Sequence, residues 1–228
     1  ALSIVADHPV AITCAGRTDS GVHALGQIIH FDSPAKREAK HWLLGVNTHL
    51  PSTIQLLWVR PVVVDFDARF SATARHYIYV IDNATVPNPL YREHALWVGR
   101  PVDTAQLAQV GGNWLGEQDF SSFRDSQCQA QHPRRRLLDW SVSCRGSFVF
   151  VHVVANAFLH HMVRNMMGVA LCVATGKQPV SWSKEVLLAR DRTSADVTVG
   201  ACGLYLHRVY YPKRYQRDFP QSGANFWW

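Results

Sequence analysis

The segment Gly16-Arg17-Thr18-Asp19-Ser20-Gly21-Val22-His23-Ala24 gathers more chemistry than any other stretch of the chain. It places one carboxylate on a loop just past a strand-like alternation, between two glycines that let the backbone turn tightly. Arg17, two residues from Asp19, is a candidate for holding that carboxylate ionised through a charge-assisted bond. The same residues are also ordinary turn chemistry, an Asx-turn with a surface ion pair, so local physics leaves both readings open. His23 follows the turn and is either a rim contact or a histidine packed at a strand start. Arg164, in His160-His161-Met162-Val163-Arg164-Asn165, stands among apolar side chains at helical spacing, where a buried guanidinium needs an acid partner and an exposed one would snorkel. His160 and His161 are adjacent, so on a helix they would not share a face, and the spacing does not suit a metal pair. Tyr77 and Tyr79 lie on an alternating strand with the same parity, and periodicity does not choose between them.

The elements that must position these groups are read from periodicity. Val10 to Cys14 and Gln27 to Phe31 read as strands flanking the loop. Ser33-Pro34 reads as a helix start, the helix running through Trp42 and Val46 and stopping before Pro51, and Ile54 to Val59 as a further strand. Residues 60–73 lose periodicity and form a candidate hinge. Beyond it come a strand over Arg75 to Ile81 and a loop over 82–101. Asp103 caps a helix, and a hairpin pairs 137–144 with 148–154. A helix spans 158–175 and ends at Gly176, another follows Ser181, and a strand runs over 202–209. Strands and helices do not alternate regularly, which points to an α+β fold with antiparallel sheets rather than a doubly wound one. The expected division is 1–64, 71–212 and a tail, 213–228, that mixes basic and aromatic residues.

Composition narrows the classes. Of 228 residues, 47% are apolar and only 18% charged, which excludes a disordered chain. The net charge of +6 is compatible with a polyanionic partner. No apolar run is long enough to span a membrane, and the first residues do not read as a signal peptide. The five cysteines, Cys14, Cys128, Cys144, Cys172 and Cys202, form no C-x-x-C pair and read as reduced thiols of a cytoplasmic protein.

The Gly16–Ala24 segment resembles the signature of the TruA family of tRNA pseudouridine synthases, G-R-T-D-x-G-V-H-A followed by a strand. The match runs through CAGRTDSGVHALGQIIHF and continues in LGVNTHLP, FDARFSATARHYIYVI, EQDFSSFR, NAFLHHMVRNMMG and GLYL, in order and across nearly the whole chain. The resemblance implies two similar subdomains whose antiparallel sheets join into one extended mixed sheet, with helices on one side and an active-site cleft between the subdomains. It implies an isomerase that needs neither cofactor nor metal, works as a homodimer and converts uridine to pseudouridine at positions 38, 39 and 40 of the tRNA anticodon stem-loop. Asp19 matches the essential aspartate, Tyr77 the active-site tyrosine, and Arg164 the basic residue that pairs with the aspartate. Arg17 and His23 become candidate substrate contacts once the uridine has left its stack. Arg69, Arg75, Arg134, Arg135, Arg136, Lys213 and Arg214 are candidate phosphate contacts.

Family members begin with about 40 more residues, carrying a strand and most of a helix, so a segment is expected ahead of Ala1. A non-catalytic RNA-binding module of the same fold is the main alternative; the joint presence of Asp19, Tyr77 and Arg164 favours the enzyme. A hydrolase is disfavoured because no second carboxylate accompanies Asp19 in the matched blocks.

Overall fold

A computed structural model describes residues 1–216 and 219. They fall into two compact units. The smaller comprises Ala1–Arg17, Ile28–Ala72 and the segment from Tyr211; the larger comprises Thr18–Gln27 and Thr73–Tyr210.

In the smaller unit, α1 (Leu2–Ala6) packs on α2 (Ala39–His49), and β1 (Thr13–Cys14) pairs antiparallel with β3 (Ile29–His30). Ala6, Trp42 and Val46 form its core, with Phe31 edge-on to Trp42. The helix expected from Ser33-Pro34 begins only at Ala39. Ser33 Oγ instead accepts the Ala35 amide and meets His8, a local turn that competes with helix. The strand expected over Ile54 to Val59 does not form. Leu56 is held by the Asn47 side chain, whose amide takes both its N–H and its C=O at 2.8 Å, so a side chain does what a neighbouring strand would have done. The short α6 (Lys213–Gln216) sets Tyr215 beneath Phe66. The rest of the basic and aromatic tail, Phe219 apart, lies outside the described residues.

The larger unit is built on a seven-stranded sheet, mixed but largely antiparallel. Its strands are β2 (His23–Ala24), β4 (Ala74–Asp82), β5 (Leu96–Trp97), β6 (Gly116–Asp119), β7 (Arg134–Arg145), β8 (Phe148–Ala155) and β9 (Leu204–Tyr210). The order is β2-β9-β4-β8-β7-β6, with β5 beside β4. The α+β expectation therefore holds. The hairpin β7–β8 and strand β4 form as their alternation predicts, because they are long enough to commit one face to a core. Helices α3 (Thr104–Gly112), α4 (Met162–Ala174) and α5 (Val180–Ala189) contribute to a single core with the face carrying Tyr77, Tyr79 and Ile81. Asp103 caps α3 by accepting the amides of Ala105 and Gln106.

Helix α4 is buried on nearly every side, which its sequence of small and apolar residues permits. Gly168 is required there, because a Cβ would collide with the Val197 carbonyl. The helix starts four residues later than the periodicity suggests, and the skipped residues include His160 and His161. Among the described residues, no helix is long and apolar enough to cross a membrane, and all five cysteines are free.

Candidate active site

Asp19 is fixed by a tight turn. Its carbonyl accepts the Val22 amide at 3.0 Å, and Gly21 takes the positive φ of 81° that such a turn needs. Directly after the turn, β2 docks parallel on β9, His23 opposite Tyr205 and Ala24 opposite Leu206. The sheet edge thus anchors the loop, and its carboxylate is brought beside the first turn of α4.

Three side chains from that region meet the carboxylate. Arg164 Nη1 lies 3.3 Å from Asp19 Oδ2, and its Nε donates to the Val199 carbonyl at 2.9 Å, which aims the guanidinium. His161 Nε2 is 3.1 Å from the same oxygen, and His160 Nε2 is 3.4 Å from Oδ1. The two imidazoles are stacked, centroids 3.9 Å apart, and their other nitrogens face a second carboxylate. His161 Nδ1 is hydrogen-bonded to Asp125 at 2.8 Å; His160 Nδ1 lies 3.3 Å from Asp125 but without the alignment of a hydrogen bond. The Asp125 carboxyl is held below the usual range, first by the Gln127 amide and then by the imidazoles. Asp19 is 27% exposed and Arg164 16%, so a reactant can reach the carboxylate while its cation stays shielded.

The convergence of two adjacent histidines corrects the expectation that they point apart. His161 is not inside the helix; it caps α4 with a left-handed backbone, φ 58°. That reversal folds the ring of His161 back over that of His160 instead of splaying them by a helical step. Asp125, one residue beyond the matched block EQDFSSFR, adds a second carboxylate to the cluster on the far side of the two imidazoles. Neither feature had a motif to announce it. The available signal was the placement of two histidines just ahead of Arg164 at a helix start.

The donor atoms of Asp19, His160 and His161 lie within 4.8 Å of one another, a grouping of three potential metal ligands. Arg164 puts a fixed cation on the same carboxylate oxygen, and a second positive ion there would be repelled. The group fits an anion-stabilising or carboxylate-positioning role better than a metal centre.

The other predicted residues are placed as follows. Arg17 is exposed and forms no ion pair among the described residues; the cation at Asp19 is Arg164. His23 stacks on Tyr205 at 4.6 Å, and its Nε2 meets the Glu93 carbonyl at 2.7 Å. Tyr77 lies on β4 opposite Leu206, two strands in from Ala24, with Phe158 edge-on at 5.0 Å. Both tyrosines are buried in the same core; the Tyr79 hydroxyl is in addition committed to the Gly200 carbonyl, and burial raises its pKa. Arg75 is buried and donates to the Asn156 carbonyl, and Arg214 pairs with Asp65, so neither presents an uncommitted charge. Arg135 donates to the His132 and Arg134 carbonyls, while Arg134 and Arg136 are exposed.

Residues 113–212, which carry β7, β8, α4 and β9, match the family described as tRNA pseudouridine synthase. The similarity to individual proteins extends further. The tRNA pseudouridine synthase A of Hydrogenovibrio crunogenus is 49% identical over 216 residues, covering 95% of this chain and 82% of that protein. That of Tolumonas auensis is 48% identical over 98% of the chain and 85% of the relative, and that of Escherichia coli 45% identical over 99% and 84%. The aligned span takes in the Asp19 loop as well as α4. Identity at this level over nearly all of the sequence, on a mixed sheet that carries the loop and the helix together, makes the chain a member of the tRNA pseudouridine synthase A family of isomerases.

Proposed function

We propose that this enzyme isomerises uridine to pseudouridine at positions 38, 39 and 40 of the tRNA anticodon stem-loop, with Asp19 as the reacting carboxylate. The observation that carries the reading is the setting of Asp19: partly exposed, on a turn anchored by β2, with Arg164 at 3.3 Å and imidazoles on both oxygens. A carboxylate so held is oriented and accessible, which is what chemistry at an anomeric carbon requires.

The uridine is turned out of its stack, because no carboxylate reaches C1′ inside a helix. Asp19 meets the positive character that develops at C1′ as the N1–C1′ bond breaks. The freed uracil turns, C5 bonds to C1′, and the C5 proton leaves. Tyr77, the match to the family's active-site tyrosine, supplies the ring face for the uracil. Arg17, exposed on the loop that carries Asp19, meets the RNA backbone beside the vacated stack. His23 contributes at the rim through the edge its contacts with Tyr205 and Glu93 leave open.

Three adjacent target positions mean that no single base sequence is read, so affinity comes from backbone contacts and falls steeply with salt. Arg134 and Arg136 are the members of the arginine run left to carry such contacts, since Arg135 is tied to its own loop. The protein acts as a homodimer in the cytoplasm and uses neither cofactor nor metal. Mapping pseudouridine in tRNA from a strain lacking the gene tests the reading: loss at positions 38, 39 and 40 supports it, and loss confined to another arm refutes it.

A further inference from the structure

From the ladder between the two carboxylates, we infer that Asp125 and His161 are positioning residues for Asp19: Asp125 fixes the His161 ring, and His161 fixes the carboxylate. The contacts form one line. Asp125 Oδ2 meets His161 Nδ1 at 2.8 Å, and His161 Nε2 meets Asp19 Oδ2 at 3.1 Å. The ring thus spans the two carboxylates, one at each nitrogen. Arg164 adds its guanidinium to the same Asp19 oxygen, 3.3 Å away, so the carboxylate is held from two directions. His160 lies over His161 at longer range, 3.4 Å from Asp19 and unaligned with Asp125, so it covers the bridge rather than forming it.

The backbone supports a functional origin. His161 holds φ at 58°, a conformation uncommon for a residue with a Cβ and one that costs folding free energy. Asp125 is anchored independently: its Oδ1 accepts the Gln127 amide at 2.8 Å, and its own amide donates to the His160 carbonyl at 3.2 Å. The loop and the helix cap are thereby locked to each other before any substrate arrives.

This inference rests on Asp19 being the reacting carboxylate, and the experiment separates the two. Steady-state kinetics on tRNA and melting curves are compared for the wild-type enzyme, Asp125→Ala, Asp125→Asn and His161→Gly, with Asp19→Asn as the control for the parent reading. The downfield proton spectrum is followed for the His161 Nδ1–H. Asp125→Ala should lower kcat at least about tenfold with KM for tRNA within about threefold, and should remove the Nδ1–H resonance. Asp125→Asn, whose amide oxygen still accepts from Nδ1, should fall between. His161→Gly suits the left-handed backbone, so its melting temperature should hold or rise while kcat falls at least about tenfold. A purely structural His161 gives the reverse, a lower melting temperature with kcat kept. The inference is overturned if kcat stays within about twofold in both Asp125→Ala and His161→Gly, or if the loss follows the melting temperature. An active Asp19→Asn enzyme would instead remove the parent reading.

Discussion

Histidines gather twice in the larger unit, in opposite company. On the sheet face turned away from the helices, His76 of β4 lies 3.2 Å from His152 of β8 and edge-on to His207 of β9 at 4.8 Å. No carboxylate bonds any of these rings among the described residues, and His207 Nδ1 is buried without a hydrogen-bond partner. Burial, with His207, His152 and Arg208 adding to it, pushes His76 down to about 4; burial also lowers His152, against the pull of Asp139, and His207 beside Arg208. At the other cluster, His160 and His161 have a carboxylate facing each side. The same side chain therefore serves as neutral packing on one face and as a link between charges on the other. What distinguishes them is the pair of aspartates, not the histidines.

The sharpest way to break this comparison is to remove the cation from the charged cluster. Arg164→Ala strips Asp19 of its guanidinium and leaves the Val199 carbonyl without a donor. Activity should fall at least about 100-fold and stability by about 1–3 kcal/mol, read by tRNA turnover and chemical denaturation. Activity within about tenfold would mean that the Arg164–Asp19 pair does not matter to the reaction. Gly168→Ala acts one step removed. Its Cβ collides with the Val197 carbonyl, in the segment that also supplies Val199 to Arg164. A cost of about 1–3 kcal/mol with a several-fold loss of kcat is expected, and no change in melting temperature would contradict the packing account.

The neutral cluster predicts a pH dependence. His76 has a folded pKa near 4 against an unfolded value near 6.5, so between them the unfolded chain binds more protons. Stability should be complete above about pH 6.5 and decline as pH falls toward 4, by roughly 1–2 kcal/mol for this residue after allowing for its partial exposure. His76→Phe should flatten that slope in denaturation curves taken at several pH values. The smallest effect belongs to the same substitution read as activity: turnover at pH 8 should stay within about twofold, because this cluster has no part in the reaction. A large loss there would erase the distinction between the two clusters.

Much of the framework was legible because long elements carry long signals. The alternation of Tyr77, Tyr79 and Ile81, the hairpin around Gly146 and the Asp103 cap each depend on near neighbours, and each appears as expected. Ser33-Pro34 and Ile54 to Val59 failed for a physical reason: short segments were captured by side chains, Ser33 by its own turn and Leu56 by Asn47. At the site, the Gly16–Ala24 segment announced Asp19, and a guanidinium within an apolar helix announced Arg164. Asp125 and the two histidines stayed hidden because their meeting depends on one left-handed residue, and a helical wheel drawn through His160 and His161 sends them apart.

The central claim, that Asp19 carries the chemistry rather than the binding, is tested most directly with tRNA tritiated at uracil C5. Wild-type enzyme should release tritium to water as C5 bonds to C1′. Asp19→Asn, which keeps the shape of the side chain and removes its charge, should release none above background while holding tRNA within a few-fold of wild-type affinity. Tritium release from Asp19→Asn within about tenfold of the wild-type rate would contradict the account.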